Sequence, residues 1–246
     1  MPDRFGPRGV VAVIIPVQNS NMQPEYELMR PADISHQMYR FDISDHGRVP
    51  DAVLRVVPDT LLCWPDVVIG GNSLEMRDWS VSQQAEYRAA FEACAKGVPV
   101  VLATDATVAA LRTIGAKRIG MLSPMSSEHS TGAKNYYETQ GFEVPHDTSL
   151  RVEKSEDIIN MKADDAIAAF ERIDMDDIDT LLHVGGALGI VSHIEAIEAH
   201  FGKPLVSVNA ATYWYALRKI GVNEPMPGFG QLLIHTAVTD KTTSTS

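Results

Sequence analysis

Polar and glycine residues collect at four points of the chain, each directly after a short apolar run. The four stretches are 16–22 (PVQNSNM), 70–73 (GGNS), 123–127 (SPMSS) and 183–186 (HVGG). Glycine lets backbone N–H groups face a ligand, and serine and asparagine add hydroxyl and amide donors. Because such donors stabilise negatively charged oxygen, the four stretches together predict a binding site for oxyanions.

His183 is the residue of these stretches best suited to proton transfer, because an ordinary histidine pKa of about 6.5 lies near neutral pH. Adjacent strand residues face opposite sides, so the alternative is a histidine that points away from the site. Asn72 and Ser73, with the backbone of Gly71 and of residues 185–186, predict an oxyanion hole around an intermediate. The alternative for Asn72 and Ser73 is a loop that caps the following helix.

Two more residues near these stretches are candidates for lining a pocket. Ser123 precedes Pro124 at the entry to a predicted helix, where capping of the helix is the alternative role. Trp79 follows Ser73 by six residues and is a candidate for the wall of an aromatic pocket. A tryptophan packed in the core is the alternative interpretation.

The elements that must position these residues are strands and helices in alternation, which is typical of repeated βα units around a parallel sheet. Short apolar runs predict strands at 10–16, 34–42, 67–70, 98–103, 118–122, 180–184 and 204–208. Amphipathic stretches predict helices at 51–62, 81–96, 107–114, 127–140, 155–173, 190–200 and 210–220. Ligands bind beyond the carboxyl ends of parallel strands, which is where the four polar stretches lie.

A weak internal repeat indicates two similar α/β halves. Residues 94–100 (CAKGVPV) and 199–206 (AHFGKPLV) both predict the end of a helix, a glycine and then a strand. We expect the first half to cover 1–116, with 210–240 packing back on it, and the second half to cover 117–209. The tail 241–246 (KTTSTS) is of low complexity and is expected to be disordered.

The net charge of −11 argues against a nucleic-acid surface, which needs clustered lysine and arginine. The chain has no apolar run of about 18 residues, which argues against a membrane span, and its first nine residues do not resemble a secretory signal. We therefore expect a cytoplasmic protein. The two cysteines, Cys63 and Cys94, have no partner at ligand spacing, which argues against a disulfide and against a metal site.

Four segments resemble the maleate isomerase and arylmalonate decarboxylase branch of the aspartate/glutamate racemase superfamily. Residues 15–25 (IPVQNSNMQPE) are similar to its opening motif, and 67–73 (VVIGGNS) to its strand that ends in C-T-S or G-T-S. Residues 118–124 (RIGMLSP) resemble its R-I-G-L-L-(S/T)-P-Y strand. Residues 181–186, 194–198 and 202–206 resemble its second-cysteine loop with the helix and strand that follow.

The resemblance implies two pseudo-symmetric Rossmann-like halves, each a mostly parallel four-stranded sheet flanked by helices. It also implies cofactor-independent chemistry on a small carboxylate, with Asn19 as a substrate contact, and a homo-oligomer, either dimer or tetramer. Gly71 and Val184 stand where the family has its two catalytic cysteines, and Met125 stands where it has a tyrosine. The resemblance thus makes Gly71, Met125, Val184, Gly185 and Gly186 lining residues of a site without thiols.

Three functions are compatible with these residues. The first is decarboxylation or isomerisation through a carbanion or enediolate held in the oxyanion hole, with His183 moving the proton. The second is hydrolysis of a cyclic amide, lactone or ester, since the same hole would stabilise a tetrahedral intermediate. The third is a protein that binds a small acid without catalysis.

Overall fold

A computed structural model of the chain describes residues 4–71, 79–124, 127–150, 152, 155–173 and 175–239. The tail 241–246 that the sequence analysis expects to be disordered lies outside these residues. Within them the chain forms two four-stranded sheets, and every strand pair in both sheets is parallel.

The first half is a sheet with strand order β2-β1-β3-β4 and helices on both faces. The core of its central strand β1 is a run of six buried apolar residues, Val10 to Ile15, as expected for a parallel strand covered on both faces. Its elements in chain order are β1 (Gly9–Pro16), α1 (Met22–Met29), β2 (Ile34–Phe41), α2 (Val49–Thr60), β3 (Val67–Gly70), α3 (Val81–Ala95), β4 (Val100–Leu102) and α4 (Ala103–Ile114).

The second half repeats this topology, with strand order β6-β5-β7-β8. The same order of edge and central strands in both sheets confirms the predicted pair of pseudo-symmetric α/β halves. The elements are β5 (Arg118–Ser123), α5 (Ser127–Thr139), β6 (Glu143–Ser149), α6 (Ala163–Phe170), β7 (Thr180–His183), α7 (Ile194–Phe201), β8 (Leu205–Ser207) and α8 (Val208–Lys219).

Helix α8 follows the last strand of the second half and packs against α4, α1 and the strands β3 and β4 of the first half. Its buried side chains include Tyr213 and Trp214, and Tyr213 stacks on Tyr26 of α1 with 4.9 Å between ring centroids. One large core cluster therefore runs through both halves. Across the described ranges, no helix combines the length and apolar character needed to cross a membrane.

The structure adds two elements to those predicted from the sequence. Strand β6 has the polar sequence EVPHDTS and lies at the edge of its sheet. Pro145 has no N–H to donate between strands, and an edge strand tolerates this loss. Helix α1 buries Met22, Glu25, Tyr26 and Met29 at helical spacing. Because one of these four inward positions is a glutamate, the apolar periodicity that would have predicted the helix is interrupted.

The structure also corrects one predicted helix. The stretch 155–173 is not continuous: a 3-10 segment, Ser155–Asn160, precedes the shorter helix α6. At the beginning of α6 the Asp165 carboxylate accepts the backbone N–H of Lys162 at 2.7 Å. This acidic residue therefore caps the beginning of a helix shorter than the predicted one.

Candidate active site

The loops after β1 and β7, one from each half, are joined by hydrogen bonds. The side-chain amide of Asn19 donates to the carbonyl oxygen of Gly186 at 3.0 Å. The side-chain amide of Asn21 donates to the carbonyl oxygen of Ala187 at 2.9 Å. The carboxyl ends of the two sheets therefore face one another, and the candidate site lies between the halves.

Asn19 is buried, and both ends of its amide are engaged in the protein. Its Oδ1 accepts the backbone N–H groups of Asn21 and Met22, each at 3.0 Å, at the beginning of α1. Its Nδ2 reaches Gly186 across the gap between the halves. The structure thus assigns Asn19 a part in fixing the two loops, and direct contact with a substrate stays a prediction.

Gly71 directly follows β3 and lies against the first turn of α1. Its N–H donates to the carbonyl oxygen of Ile14 at 2.8 Å. A Cβ at this position would lie 2.6 Å from that oxygen and 2.8 Å from the Cε of Met22. The position that the resemblance gives to the first catalytic thiol therefore has no room for any side chain unless the backbone moves.

Three of the residues named from the sequence, Asn72, Ser73 and Met125, lie outside the described residues, so their roles stay predictions. Trp79 packs on Tyr87 with 5.5 Å between the ring centroids. Tyr87 belongs to the smaller core cluster between the first sheet and helices α2 and α3, and the partly buried Trp79 packs against that cluster. A role for Trp79 in a substrate pocket also stays a prediction.

Ser123 ends β5 and is fully buried. Its carbonyl oxygen accepts the N–H of Leu150 at 3.1 Å, which closes the loop after β6 onto β5. The next residue, Pro124, lies against Gly185, since a Cβ built there would come within 2.7 Å of the proline ring. The β5 loop therefore touches the β7 loop, as their neighbouring strands require.

The glycine turn, residues 185–188, is held closely by its surroundings. Gly185 adopts φ +87°, a conformation that favours glycine. A Cβ on Gly186 would lie 2.3 Å from Oδ1 of Asn209, so a side chain there would displace the Asn209 amide. Gly186 and Ala187 are partly exposed, and their N–H groups find no acceptor among the described residues. These two N–H groups are the clearest donors for an oxyanion at this edge.

Val184 stands directly before the glycine turn, at the position that the resemblance gives to the second thiol. It is fully buried, and its N–H donates to the carbonyl oxygen of Leu122 at 3.0 Å. An isopropyl side chain carries no exchangeable proton. The side chain of Val184 therefore takes no part in proton transfer, and its role in lining the site stays a prediction.

His183 is the last residue of β7 and is fully buried beside Ser207 of β8. Its Nδ1 lies 3.2 Å from the Ser207 hydroxyl oxygen, and its Nε2 is buried without a hydrogen-bond partner among the described residues. Burial lowers the pKa of His183 to about 3, an effect only partly opposed by the backbone of Gly185. The imidazole is therefore neutral at physiological pH, and its buried Nε2 calls for an explanation, of which a catalytic role is one.

Two further polar residues, Glu25 and Asn209, meet at this edge and were not singled out from the sequence. The Glu25 carboxylate accepts the N–H of Val191 at 2.7 Å and the side-chain amide of Asn209 at 2.6 Å. Burial raises the pKa of Glu25 to about 7, against the lowering effect of these hydrogen bonds. Asn209 lies just after the carboxyl end of β8. The rule that ligands bind beyond the carboxyl ends of parallel strands therefore also marks Asn209 as a candidate.

Both cysteines lie far from this edge. Cys63 belongs to the 3-10 turn before β3, and Cys94 to the last turn of α3 before β4. The thiol of Cys63 donates to the carbonyl oxygen of Thr60 at 3.1 Å. Each cysteine thus lies toward the amino-terminal edge of the first sheet, whereas the candidate site lies at the carboxyl edge.

Known proteins similar to this chain include two maleate isomerases. One, from Alcaligenes faecalis, is 23% identical over 137 residues, which are 55% of this chain and 54% of that protein. The other, from Pseudomonas putida, is 26% identical over 136 residues, with the same coverage. The chain thus spans about half the length of the curated relatives it matches.

Solved structures with the same fold cover almost the whole chain. A maleate isomerase from Pseudomonas putida, crystallised with maleate, has a TM-score of 0.79 and 20% identity over 92% of this chain and 97% of that one. A crystal structure of arylmalonate decarboxylase has a TM-score of 0.75 and 19% identity over 91% and 98% of the two chains. The family model of arylmalonate decarboxylase matches residues 66–233, which contain strands β3 and β4 of the first sheet, the whole second sheet and the glycine turn. With its fold and its sequence in agreement, the chain belongs to the arylmalonate decarboxylase family.

Proposed function

We propose that this protein is a cofactor-independent enzyme that decarboxylates a small substituted malonate. One C–CO₂⁻ bond breaks and CO₂ leaves, while the electron pair stays on the α-carbon and delocalises into the remaining carboxylate as an enediolate. A proton then adds to the α-carbon. Both the substrate and the intermediate concentrate negative charge on carboxylate oxygens, which need hydrogen-bond donors in a site of limited water access.

The observation that carries the proposal is the glycine turn. The N–H groups of Gly186 and Ala187 have no acceptor within the described residues and are partly exposed. The carbonyl oxygen of Gly186 is held from two sides, by the amides of Asn19 and Asn209. Donors that are already oriented stabilise developing charge without reorganisation during the reaction. Asn72, Ser73 and Ser123 remain candidates for further donors in the same site.

Decarboxylation is favoured over isomerisation because the chain has no thiol at this edge. A maleate isomerase from Nocardia farcinica has been crystallised as a variant with a covalently bound succinylcysteine intermediate. Here Gly71 has no room for a side chain, and Val184 has no nucleophile. Adduct formation with an enedioate needs such a nucleophile, whereas loss of CO₂ needs only charge stabilisation and a proton.

His183 is our candidate for the group that moves the proton. A bound dicarboxylate places negative charge near the imidazole, and an opposite charge favours the protonated form of a histidine. Substrate binding would thus raise the pKa of His183 from its value of about 3 in the free protein. The buried Nε2, which has no partner in the described part of the chain, is the atom that would carry the proton.

Neither hydrolysis nor binding without catalysis gains support from the family or from the named relatives. The small carboxylate substrate follows from the maleate isomerases and the arylmalonate decarboxylase to which the chain is similar. A location in the cytoplasm and assembly as a dimer or tetramer stay predictions from the sequence.

The test is proton NMR in D₂O with phenylmalonate and alkylmalonates, maleate, and a panel of cyclic amides and lactones. We expect the malonates to lose CO₂ and the monoacid product to carry deuterium at the α-carbon. Gly186→Ala, which forces a methyl group onto Asn209, should abolish the reaction, and Gly47→Ala, where the nearest atom is 3.4 Å away, should retain it. Ring opening of an amide or lactone, or conversion of maleate without loss of CO₂, would overturn the proposal.

A further inference from the structure

Glu25 is a buried carboxylate in α1 whose two partners both lie outside the first sheet and its helices. It is 6% exposed. One oxygen accepts the N–H of Val191, which follows the glycine turn, and the other accepts the side-chain amide of Asn209 at the beginning of α8. Both partners are uncharged. A carboxylate is rarely buried without a cation, so its place here calls for an explanation beyond packing.

Asn209 carries the effect of Glu25 to the glycine turn. Its Nδ2 has two hydrogens, and it lies 2.6 Å from Glu25 and 2.9 Å from the carbonyl oxygen of Gly186. A flipped amide would place Oδ1 against both of these oxygens. The acceptor oxygens of Glu25 and Gly186 therefore select the orientation of Asn209 in which its amide nitrogen donates to both.

The orientation of the Gly186 carbonyl decides the direction of the next N–H. In a planar trans peptide the C=O of one residue and the N–H of the next point in opposite directions. Because Asn209 and Asn19 fix the Gly186 oxygen on the protein side, the N–H of Ala187 points away from both amides. Without the hydrogen bond from Asn209, only Asn19 would hold this oxygen, and the peptide would be less firmly oriented.

We propose that Glu25 is a positioning residue of the site: from the first half it orients Asn209, and through Asn209 it aims the N–H of Ala187, one of the two oxyanion donors of the glycine turn. The inference rests on the proposed function, in which these N–H groups stabilise an enediolate. Glu25 itself touches no reacting atom. Its effect belongs to the transition state, because misdirected donors weaken charge stabilisation more than they weaken substrate binding.

The chain contains a matched control for a role in stability alone. Glu198 of α7 is likewise a buried carboxylate, 8% exposed, and accepts the backbone N–H groups of Leu205 and Gln231 at 2.9 and 3.0 Å. It ties β8 to the C-terminal segment and has no contact with the glycine turn. Glu198→Gln therefore reproduces the loss of a buried carboxylate without the loss of loop orientation.

The experiment compares Glu25→Gln, Asn209→Ala and Glu198→Gln in the full-length protein by two measurements. The first is the ¹⁵N chemical shift and hydrogen exchange of the Gly186 and Ala187 amides without any ligand. The second is kcat and KM for phenylmalonate. We expect Glu25→Gln and Asn209→Ala to move both amide resonances and to lower kcat at least tenfold, with KM changed less than threefold. We expect Glu198→Gln to leave the two resonances in place.

Unmoved Gly186 and Ala187 resonances in Glu25→Gln, or the same displacement in Glu198→Gln, would overturn the inference. If Glu25→Gln does not fold, Glu25→Asp takes its place, because the shorter side chain keeps a carboxylate but withdraws it from Asn209. The amide measurement needs no substrate. Displaced resonances in a protein that decarboxylates nothing would therefore support the positioning role while refuting the proposed function.

Discussion

The side-chain amide of Asn19 spans the gap between the two halves and donates to the carbonyl oxygen of Gly186, 167 residues later in the chain. The same carbonyl oxygen accepts a second amide from Asn209 at 2.9 Å. Two directed hydrogen bonds on one oxygen fix the peptide plane of the glycine turn. The geometry of the proposed oxyanion hole therefore depends on how the halves pack, and several predictions test this dependence.

Asn19 variants separate the support of α1 from the contact with Gly186. Asn19→Asp keeps the oxygen that accepts the N–H groups of Asn21 and Met22 but loses the donor to Gly186. Its other carboxylate oxygen would lie against the Gly186 carbonyl oxygen, so we expect it to lose most of its activity and part of its stability. Asn19→Ala loses both functions and should lower the free energy of unfolding by about 1–3 kcal/mol. Urea unfolding and kcat/KM measure the two effects, and full activity in Asn19→Asp would contradict the role of the contact with Gly186.

Gly71→Ala should destabilise the protein by about 1–3 kcal/mol, because the new methyl group meets the Ile14 carbonyl oxygen at 2.6 Å. Adding Met22→Ala removes the contact with the methionine but not the contact with the backbone. Since Met22→Ala also removes a buried side chain, the double variant is compared with Met22→Ala alone, and we expect Gly71→Ala to cost about as much there as in the wild type, as measured by thermal unfolding. A Gly71→Ala substitution without cost in the Met22→Ala background would show that Met22 alone fills the space beside Gly71.

His183 should make the protein less stable as the pH falls through the weakly acidic range. Its pKa is lowered from 6.5 to about 3 by burial, so between these values the unfolded state binds a proton that the folded state does not. The contribution to stability is complete above pH 6.5 and declines toward pH 3. We expect His183→Asn to show a smaller loss of stability than the wild type between pH 7 and pH 4 in urea unfolding. Parallel curves would contradict the burial of a neutral imidazole.

The contribution of Glu25 to stability should depend on pH in the opposite sense. Its pKa is raised from 4.5 to about 7, so between these values the folded state binds the extra proton. The corresponding stability is complete below pH 4.5 and is lost as the pH rises through 7. Relative to Glu25→Gln, the wild type should therefore lose stability between pH 5 and pH 8. The comparison with the variant is needed because His183 acts in the opposite sense over part of this range.

Val184→Cys tests whether a thiol at the second position supplies a better proton donor than the chain now has. The exchange removes little volume, so we expect a loss of about 1 kcal/mol or less in the free energy of unfolding. Under the proposed function, decarboxylation of phenylmalonate should become at least tenfold faster, as followed by release of CO₂. Val184→Ala, which has no thiol, is the control, and equal rates in both variants would exclude the thiol as the cause.

Much of the fold could be predicted from local patterns. Buried runs of mostly β-branched residues, such as Val10 to Ile15, determine their strands. The glycines at 71, 185 and 186 follow such runs, which predicts that they lie in loops at strand ends. The exceptions are instructive. Strand β6 is polar because an edge strand needs only one buried face, and α1 was missed because the buried Glu25 interrupts its apolar face.

What only the tertiary structure decided is which polar groups meet. Glu25 and Asn209 are 184 residues apart, and the sequence near either of them does not predict their contact. The environment of His183 was equally undetermined, since the sequence indicated proton transfer while the packing of β7 against β8 buries the imidazole and keeps it neutral. Periodicity arises from contacts between near neighbours in the chain and can be read locally. Hydrogen-bond partners and desolvation depend on the packing of the two halves, which brings together residues that the sequence keeps apart.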